Sequence, residues 1–147
     1  MITNLYNVAC IVMKNKRKII ILTILGIIPF YSKHLFYFFN DGEFNLLLKK
    51  LSLLYGALIV SFLSGMQWQR IIFKKNDFKY LILPMIPLLL VWLYQSFFFE
   101  SYQELLIIIC LILSFFIDYK LINNTLQKWY LDLRAFATFM AVLSYFI

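Results

Sequence analysis

Residues 51–69 read LSLLYGALIVSFLSGMQWQ, an uncharged run of nineteen residues. A helix needs about twenty apolar residues to cross a bilayer, so this run predicts a membrane-spanning helix. Ala57, Ser61 and Gly65 recur every four residues and should line one face of that helix. Small residues let a second helix approach closely, which favours helix packing along this face; a pore or substrate groove is the alternative interpretation. The run therefore predicts a tightly packed membrane bundle.

The composition of the whole chain agrees with a membrane protein. Hydrophobic residues make up 63% of the 147 residues, aromatic residues make up 20%, and the mean hydropathy is +0.82. Soluble domains are about 45–50% apolar, so a soluble core of this size could not cover the remaining apolar surface. We expect one membrane domain whose exterior is largely covered by lipid.

Four further apolar segments complete the predicted fold. The sequence predicts an all-α, polytopic membrane helical bundle of about five transmembrane helices, preceded by a basic cytoplasmic N-terminal segment at 1–18. The transmembrane domain, 19–147, has predicted spans at 19–39, 51–69, 80–99, 102–119 and 131–147.

Local signals predict bends and one helix start within these spans. Pro29 predicts a kink in the first span, and Pro84 and Pro87 predict a bend in the third. Ser101 and Glu104 have the spacing of a capping box, with Ser101 as the N-cap of the fourth helix and Glu104 at its third position.

The distribution of Lys and Arg predicts the orientation of the bundle. Five spans would place the N-terminus and the loops 70–79 and 118–132 on one side of the membrane. Of the 14 basic residues, only Lys33, Lys49 and Lys50 fall on the other side, which leaves eleven on the first. This bias predicts a cytoplasmic N-terminus and a C-terminus outside. The net charge of +7 favours contact with anionic lipid headgroups and argues against nucleic acid as a partner.

The residues that usually bind metals or cofactors are few. Cys10 and Cys110 should lie at different depths, which argues against a disulfide, and neither has a second Cys or a His at ligand spacing. His34 is the single histidine, so a bis-histidine haem site is excluded. No Gly-rich phosphate loop or hydrolase motif is present in the sequence. We therefore expect no metal, no cofactor and no enzymatic activity.

Polar and aromatic residues should meet at the cytoplasmic boundary, where the second and fourth helices end and the fifth begins. The predicted cluster consists of Gln67, Trp68, Asp118, Trp129, Tyr130 and Arg134. A charge near the membrane is costly unless it is paired, which predicts an ion pair between Asp118 and Arg134. The alternative is a proton-relay role for Asp118. The aromatic residues are expected mainly as interfacial anchors.

Three stretches of the chain resemble one known family. They are LGIIPF at 25–30, YGALIVSFLSGMQW at 55–68, and Asp118 followed by Trp129-Tyr130 and Leu133-Arg134. Together they resemble domain of unknown function 3429, the family that includes the eukaryotic transmembrane protein 69. The resemblance covers about residues 22–147 and implies a small multi-pass protein of bacterial inner membranes or of mitochondria-linked lineages. It implies no established activity.

These observations favour a non-catalytic assembly or interaction partner that lies within the bilayer and has little mass outside it. The expected location is the bacterial inner (plasma) membrane, or the mitochondrial inner membrane if the protein is eukaryotic, and other membrane proteins are the expected partners. The alternative is a small transporter or channel that uses the cytoplasmic-side cluster. An enzyme acting on lipid headgroups is the least favoured interpretation. A water-filled cavity reaching Asp118 would favour transport, whereas a dry bundle with exposed small-residue grooves would favour partner binding.

Overall fold

The computed structural model describes residues 16–35, 42–74, 78–97, 102–122 and 128–146. These residues are helical apart from a short turn at 83–84, and none of them lies in a strand, which confirms the all-α prediction. The helices are α1 (16–27), α2 (Ser32–Leu35), α3 (Gly42–Lys74), α4 (Phe78–Ile82), α5 (Met85–Phe97), α6 (Gln103–Ile117) and α7 (Lys128–Phe146). A 3₁₀ turn, Ile28–Tyr31, joins α1 to α2, and a π-helical turn, Asp118–Ile122, extends α6.

One helix in the described part of the chain is long and apolar enough to cross a membrane. It is the part of α3 from Phe44 to Phe73, which contains the opening run 51–69. Its 30 residues would measure about 45 Å at 1.5 Å per residue, more than the ~30 Å hydrocarbon core of a bilayer. A shorter apolar helix lies at Tyr80–Leu93.

The prolines bend the chain where the sequence predicts. Pro29 is the second residue of the 3₁₀ turn that follows α1, and Pro84 lies in the turn between α4 and α5. Pro87 lies in the first turn of α5, where a missing backbone N–H leaves no helical hydrogen bond unmade. The predicted third span is therefore divided into two helices within the described residues.

Helix α3 forms the centre of the bundle and packs against α5 and α6, while α7 packs against α6. Val60 and Leu63 of α3 are buried with Cys110 and Leu111 of α6. Phe30 brings the first helical segment into this core. Its ring meets the ring of Tyr55 edge-on at 5.0 Å and the ring of Tyr145 at 6.0 Å.

Side-chain hydroxyl groups connect the helices through backbone carbonyls. Tyr55 Oη donates to Gly26 O at 2.7 Å, and Ser52 Oγ donates to Phe30 O at 3.3 Å. Both acceptors lie close to the break in the helical ladder at Pro29. Partners of this kind satisfy backbone groups away from water and fix the angle of a kink.

The small-residue face of α3 packs only in part. Ala57 is buried, and the half-buried Ser61 donates from Oγ to Ala57 O at 3.0 Å. Gly65 is exposed, and a Cβ added there would meet no atom of the described residues within 4 Å, so the close helix contact at Gly65 stays a prediction. A spacing of four residues advances about 40° per step around a helix of 3.6 residues per turn, so Gly65 lies about 80° from Ala57. Ser64, seven residues from Ala57, stays on the buried face.

Gly56 is the glycine of α3 at which another helix comes close. A Cβ built there would lie 2.5 Å from Tyr145 Oη of α7 and 2.9 Å from Ile107 Cγ2 of α6. Real Cβ atoms essentially never come within 3.0 Å of such neighbours. The absence of a side chain at Gly56 therefore leaves room for the Tyr145 hydroxyl and the Ile107 side chain against α3.

The capping-box prediction for α6 is wrong. Ser101 lies outside the described residues, and the helix begins at Gln103 with Tyr102 as its N-cap. Tyr102 makes no side-chain capping bond, and Glu104 falls at the second helical position instead of the third. Glu104 Oε1 instead lies 3.5 Å from the Nζ of Lys49 on α3. The Glu104 side chain therefore pairs with a neighbouring helix and does not cap its own.

Candidate functional site

The predicted ion pair between Asp118 and Arg134 is confirmed. Asp118 follows the last residue of α6 and opens the π-helical turn, and Arg134 lies in the second turn of α7. Arg134 Nε donates to Asp118 Oδ2 at 3.0 Å. The side chains are 11% and 3% exposed, respectively, so the two charges are largely removed from solvent and depend on each other.

Ser114 joins this ion pair to α3. Gln67 Nε2 donates to Ser114 O at 2.7 Å and to Ser114 Oγ at 3.1 Å. Arg134 Nη2 donates to the same Oγ at 3.4 Å. We call Gln67, Ser114, Asp118 and Arg134 the polar network. It connects α3, α6 and α7 through side chains that lie inside the bundle.

Three buried polar atoms at or beside the polar network have no hydrogen-bond partner within the described residues. They are Ser64 Oγ, Gln67 Oε1 and Asp118 Oδ1. Ser64 is one helical turn from Gln67 on α3, so it faces the same side of that helix. Each of these atoms can accept a hydrogen bond, and buried polar atoms are usually paired. The network therefore retains acceptor capacity that this part of the chain does not use.

An aromatic group continues the site at the start of α7. The rings of Trp129 and Tyr130 meet edge-on at 6.0 Å. Arg70, at the end of α3, places its guanidinium carbon 5.2 Å from the centre of the Tyr130 ring. Lys16, at the start of α1, places Nζ 5.3 Å from the centre of the Trp129 ring. These cation–π contacts gather basic residues from two helices beside α7.

The structure thus brings together most of the predicted cytoplasmic-side cluster. Gln67 joins the ion pair through Ser114, and Tyr130 lies one helical turn before Arg134. Trp68 is 44% exposed and lies away from the polar network, because neighbouring helical residues point about 100° apart. The spacing of four residues between Ser114 and Asp118 was the sequence signal that could have found Ser114.

A cavity of about 380 Å³ lies beside the polar network. Residues of α1, the following 3₁₀ turn, α3, α6 and α7 form its wall. Most of the lining is aliphatic or aromatic, and its polar side chains are Thr23, Tyr130, Arg134 and Thr138. Arg134 therefore belongs both to the polar network and to the wall of an apolar cavity.

The described residues contain no group of three or more His, Cys, Asp and Glu side chains that could hold a metal ion. Cys110 is buried as a free thiol in the core. The polar network offers unpaired acceptor atoms and one guanidinium, and the cavity beside it offers apolar contact.

The structure defines a class of protein: a helical bundle around one long apolar helix, with a small polar network buried between its helices. Residues 15–147 match the model of the family described as Protein of unknown function (DUF3429), and the chain belongs to this family. The resemblance carried by the stretches at 25–30 and 55–68 is thereby confirmed. No curated protein and no solved structure is significantly similar to the chain.

Proposed function

We propose that this chain is a multi-spanning protein of the bacterial inner (plasma) membrane, or of the mitochondrial inner membrane if it is eukaryotic. Its role is that of a non-catalytic assembly or interaction partner within the bilayer, held by about five transmembrane helices. The N-terminus lies in the cytoplasm, and the basic residues there contact anionic headgroups. The observation that carries this proposal is the combination of many exposed large apolar side chains with a small set of polar side chains buried inside the bundle.

Helix α6 displays this combination most clearly. Ile109, Ile112 and Phe116 are 44%, 51% and 55% exposed, whereas Ser114 and Asp118 are 0% and 2% exposed. In water, burial of polar groups beneath a shell of exposed large apolar groups would be unfavourable. In lipid the same distribution is expected, since polar groups must find partners inside the protein.

Helix α3 follows the same pattern and supports an interaction role. Leu58 and Phe62 are 59% and 62% exposed, while Gln67 is 1% exposed. Gly65 lies on the exposed side with open space above it. A position without a side chain, surrounded by apolar residues, allows another helix to approach closely in a membrane.

Reporter fusions test the proposed topology. A reporter active only in the cytoplasm should be active when fused at the N-terminus or within residues 75–77, and inactive after Ile147. A reporter active only outside should give the opposite result at each position. A C-terminal fusion with cytoplasmic activity would rule out the five-span arrangement.

Site-specific photo-crosslinking tests the interaction role. A photoreactive residue at Gly65 should form a discrete protein adduct in membranes. The control position is Phe139, which is 63% exposed on α7. It should give no matching adduct. Identical adducts at both positions, or none at Gly65, would contradict partner binding through this part of α3.

A small transporter or channel is the second candidate, and the unpaired acceptors favour it. Gln67 Oε1 and Asp118 Oδ1 are buried beside an ion pair and could accept hydrogen bonds from a passing solute or proton carrier. Flux into proteoliposomes that is abolished by Asp118→Asn would support this candidate. Unchanged flux relative to protein-free vesicles would support the interaction role instead.

A further inference from the structure

We infer that the cavity bounded by α1, α3 and α7 holds one acyl chain of an anionic phospholipid, with the phosphate at the Arg134 end. This inference rests on the proposed membrane location and adds a ligand site to it. Three features of the cavity support it: its length, its narrow apolar bore and the positive charge at one end.

The length of the cavity matches one leaflet of a bilayer. Its wall runs from Ile19 to Phe30 along the first helical segment and from Tyr130 to Ala141 along α7. Eleven residues of helix correspond to ~16 Å. Half of the ~30 Å hydrocarbon core is about the same distance. A chain lying along the helices would therefore fill the cavity over the depth of one leaflet.

The width of the cavity selects a single chain. A volume of about 380 Å³ spread over ~16 Å gives this bore a mean cross-section of about 24 Å². A helix with its side chains is about 10–12 Å across, so its cross-section is several times larger. Most of the wall is apolar, so water would find hydrogen-bond partners at few places along the cavity, chiefly near Arg134.

The charges at one end complement a phosphate. The guanidinium of Arg134 has five N–H donors. The N–H on Nε donates to Asp118 Oδ2, and one N–H on Nη2 donates to Ser114 Oγ. Three donors remain without a protein partner in the described part of the chain. Two more basic residues lie near the same end: Arg70 contacts the ring of Tyr130, and Lys16 contacts the ring of Trp129. These three basic groups outnumber the two carboxylates there, Asp118 and the exposed Asp132, and the excess of positive charge attracts anionic headgroups.

Native mass spectrometry of the detergent-purified, delipidated full chain tests this site. The probes are dioleoyl phosphatidylglycerol, which is anionic, and dioleoyl phosphatidylcholine, which has the same chains and no net charge. One phosphatidylglycerol should be retained per chain, at least about fivefold in preference to phosphatidylcholine, the effect expected of one basic residue near the headgroups. Equal retention of the two lipids by the wild-type chain would overturn the inference.

Two substitutions on α7 test the location. Ala137 lines the cavity, and Ala137→Trp should lower lipid retention about tenfold by filling the bore. The matched control is Ala135→Trp, at a half-buried position outside the cavity lining. It should retain lipid as the wild type does. Equal retention by both variants would overturn the inference.

The paired variant Asp118→Asn with Arg134→Gln tests the headgroup end. It removes both charges while keeping similar side-chain shapes, so no buried charge is left alone. Acyl-chain retention should persist while the preference for phosphatidylglycerol falls to about one. A preference that stays at the wild-type level would place the phosphate elsewhere and overturn the assignment to Arg134.

A photoreactive residue at Thr138, in the cavity wall, identifies the occupant even if Ala137→Trp fails to fold. An adduct with the mass of a phospholipid supports the inference, and an adduct with another protein or another part of this chain overturns it. Alkaline extraction of membranes separates this outcome from the proposed function. A chain that stays in the membrane without lipid overturns only the lipid site, whereas a chain released from the membrane overturns both.

Discussion

Replacing Gly56 with alanine should destabilise the bundle by about 1.5–4.5 kcal/mol. The new methyl carbon would lie 2.5 Å from Tyr145 Oη and 2.9 Å from Ile107 Cγ2. Neither neighbour can move freely. Tyr145 donates from Oη to Ser52 O at 3.2 Å, and Ile107 is β-branched and buried. Overpacking costs about 1–3 kcal/mol, and displacement of the hydroxyl from its carbonyl adds about 0.5–1.5 kcal/mol.

Unfolding in detergent measures this effect, and Gly65→Ala on the same helix is the matched control. A Cβ at Gly65 meets no atom within 4 Å, so that substitution should leave stability within about 0.5 kcal/mol of the wild type. Tyr145→Phe removes the closest atom and should recover part of the loss when combined with Gly56→Ala. Equal stability of Gly56→Ala and Gly65→Ala would refute the close approach of α6 and α7 to α3.

Two further predictions concern the polar network. Asp118→Ala and Arg134→Ala should each destabilise the fold, and the double variant should lose less stability than the sum of the two single losses. Because the pair is largely buried, we expect a coupling energy of about 0.5–3 kcal/mol. Strict additivity in the same unfolding assay would show that the residues do not interact. Gln67→Ala should cost about 1–3 kcal/mol because Ser114 loses a buried donor. The exposed neighbour Gln69 is its control: Gln69→Ala should change stability by less than about 0.5 kcal/mol, and an equal loss in both variants would contradict the role of Gln67.

The sequence predicted the structure best at positions where the residue type alone restricts the backbone. The prolines at 29 and 84 fixed the positions of bends because proline removes a backbone donor wherever it stands. The pairing of Asp118 with Arg134 followed from topology, since the end of one helix and the start of another were expected at the same depth. The helical nature of residues 51–69 followed from length and composition alone.

The sequence was least informative about contacts set by helix rotation and separation. A regular spacing pointed to Gly65, but the slow angular drift of a four-residue repeat turned that position outward and left Gly56 at the contact. The residues around Gly56 do not predict its contact with the Tyr145 hydroxyl, because Tyr145 lies 89 residues further along the chain. The cavity beside Arg134 depends on distances between helices, which one-dimensional patterns do not contain.

The buried ion pair has a consequence for the order in which the protein is made. Asp118 and Arg134 lie in consecutive helices, so the acidic partner leaves the ribosome 16 residues before the basic one. On the proposed topology both residues lie near the membrane boundary, where an unpaired charge is still unfavourable during insertion. Insertion of α6 and α7 together, as a hairpin, would neutralise both charges before either helix met lipid alone. On that topology, α7 would supply the partner charge that allows α6 to enter the membrane.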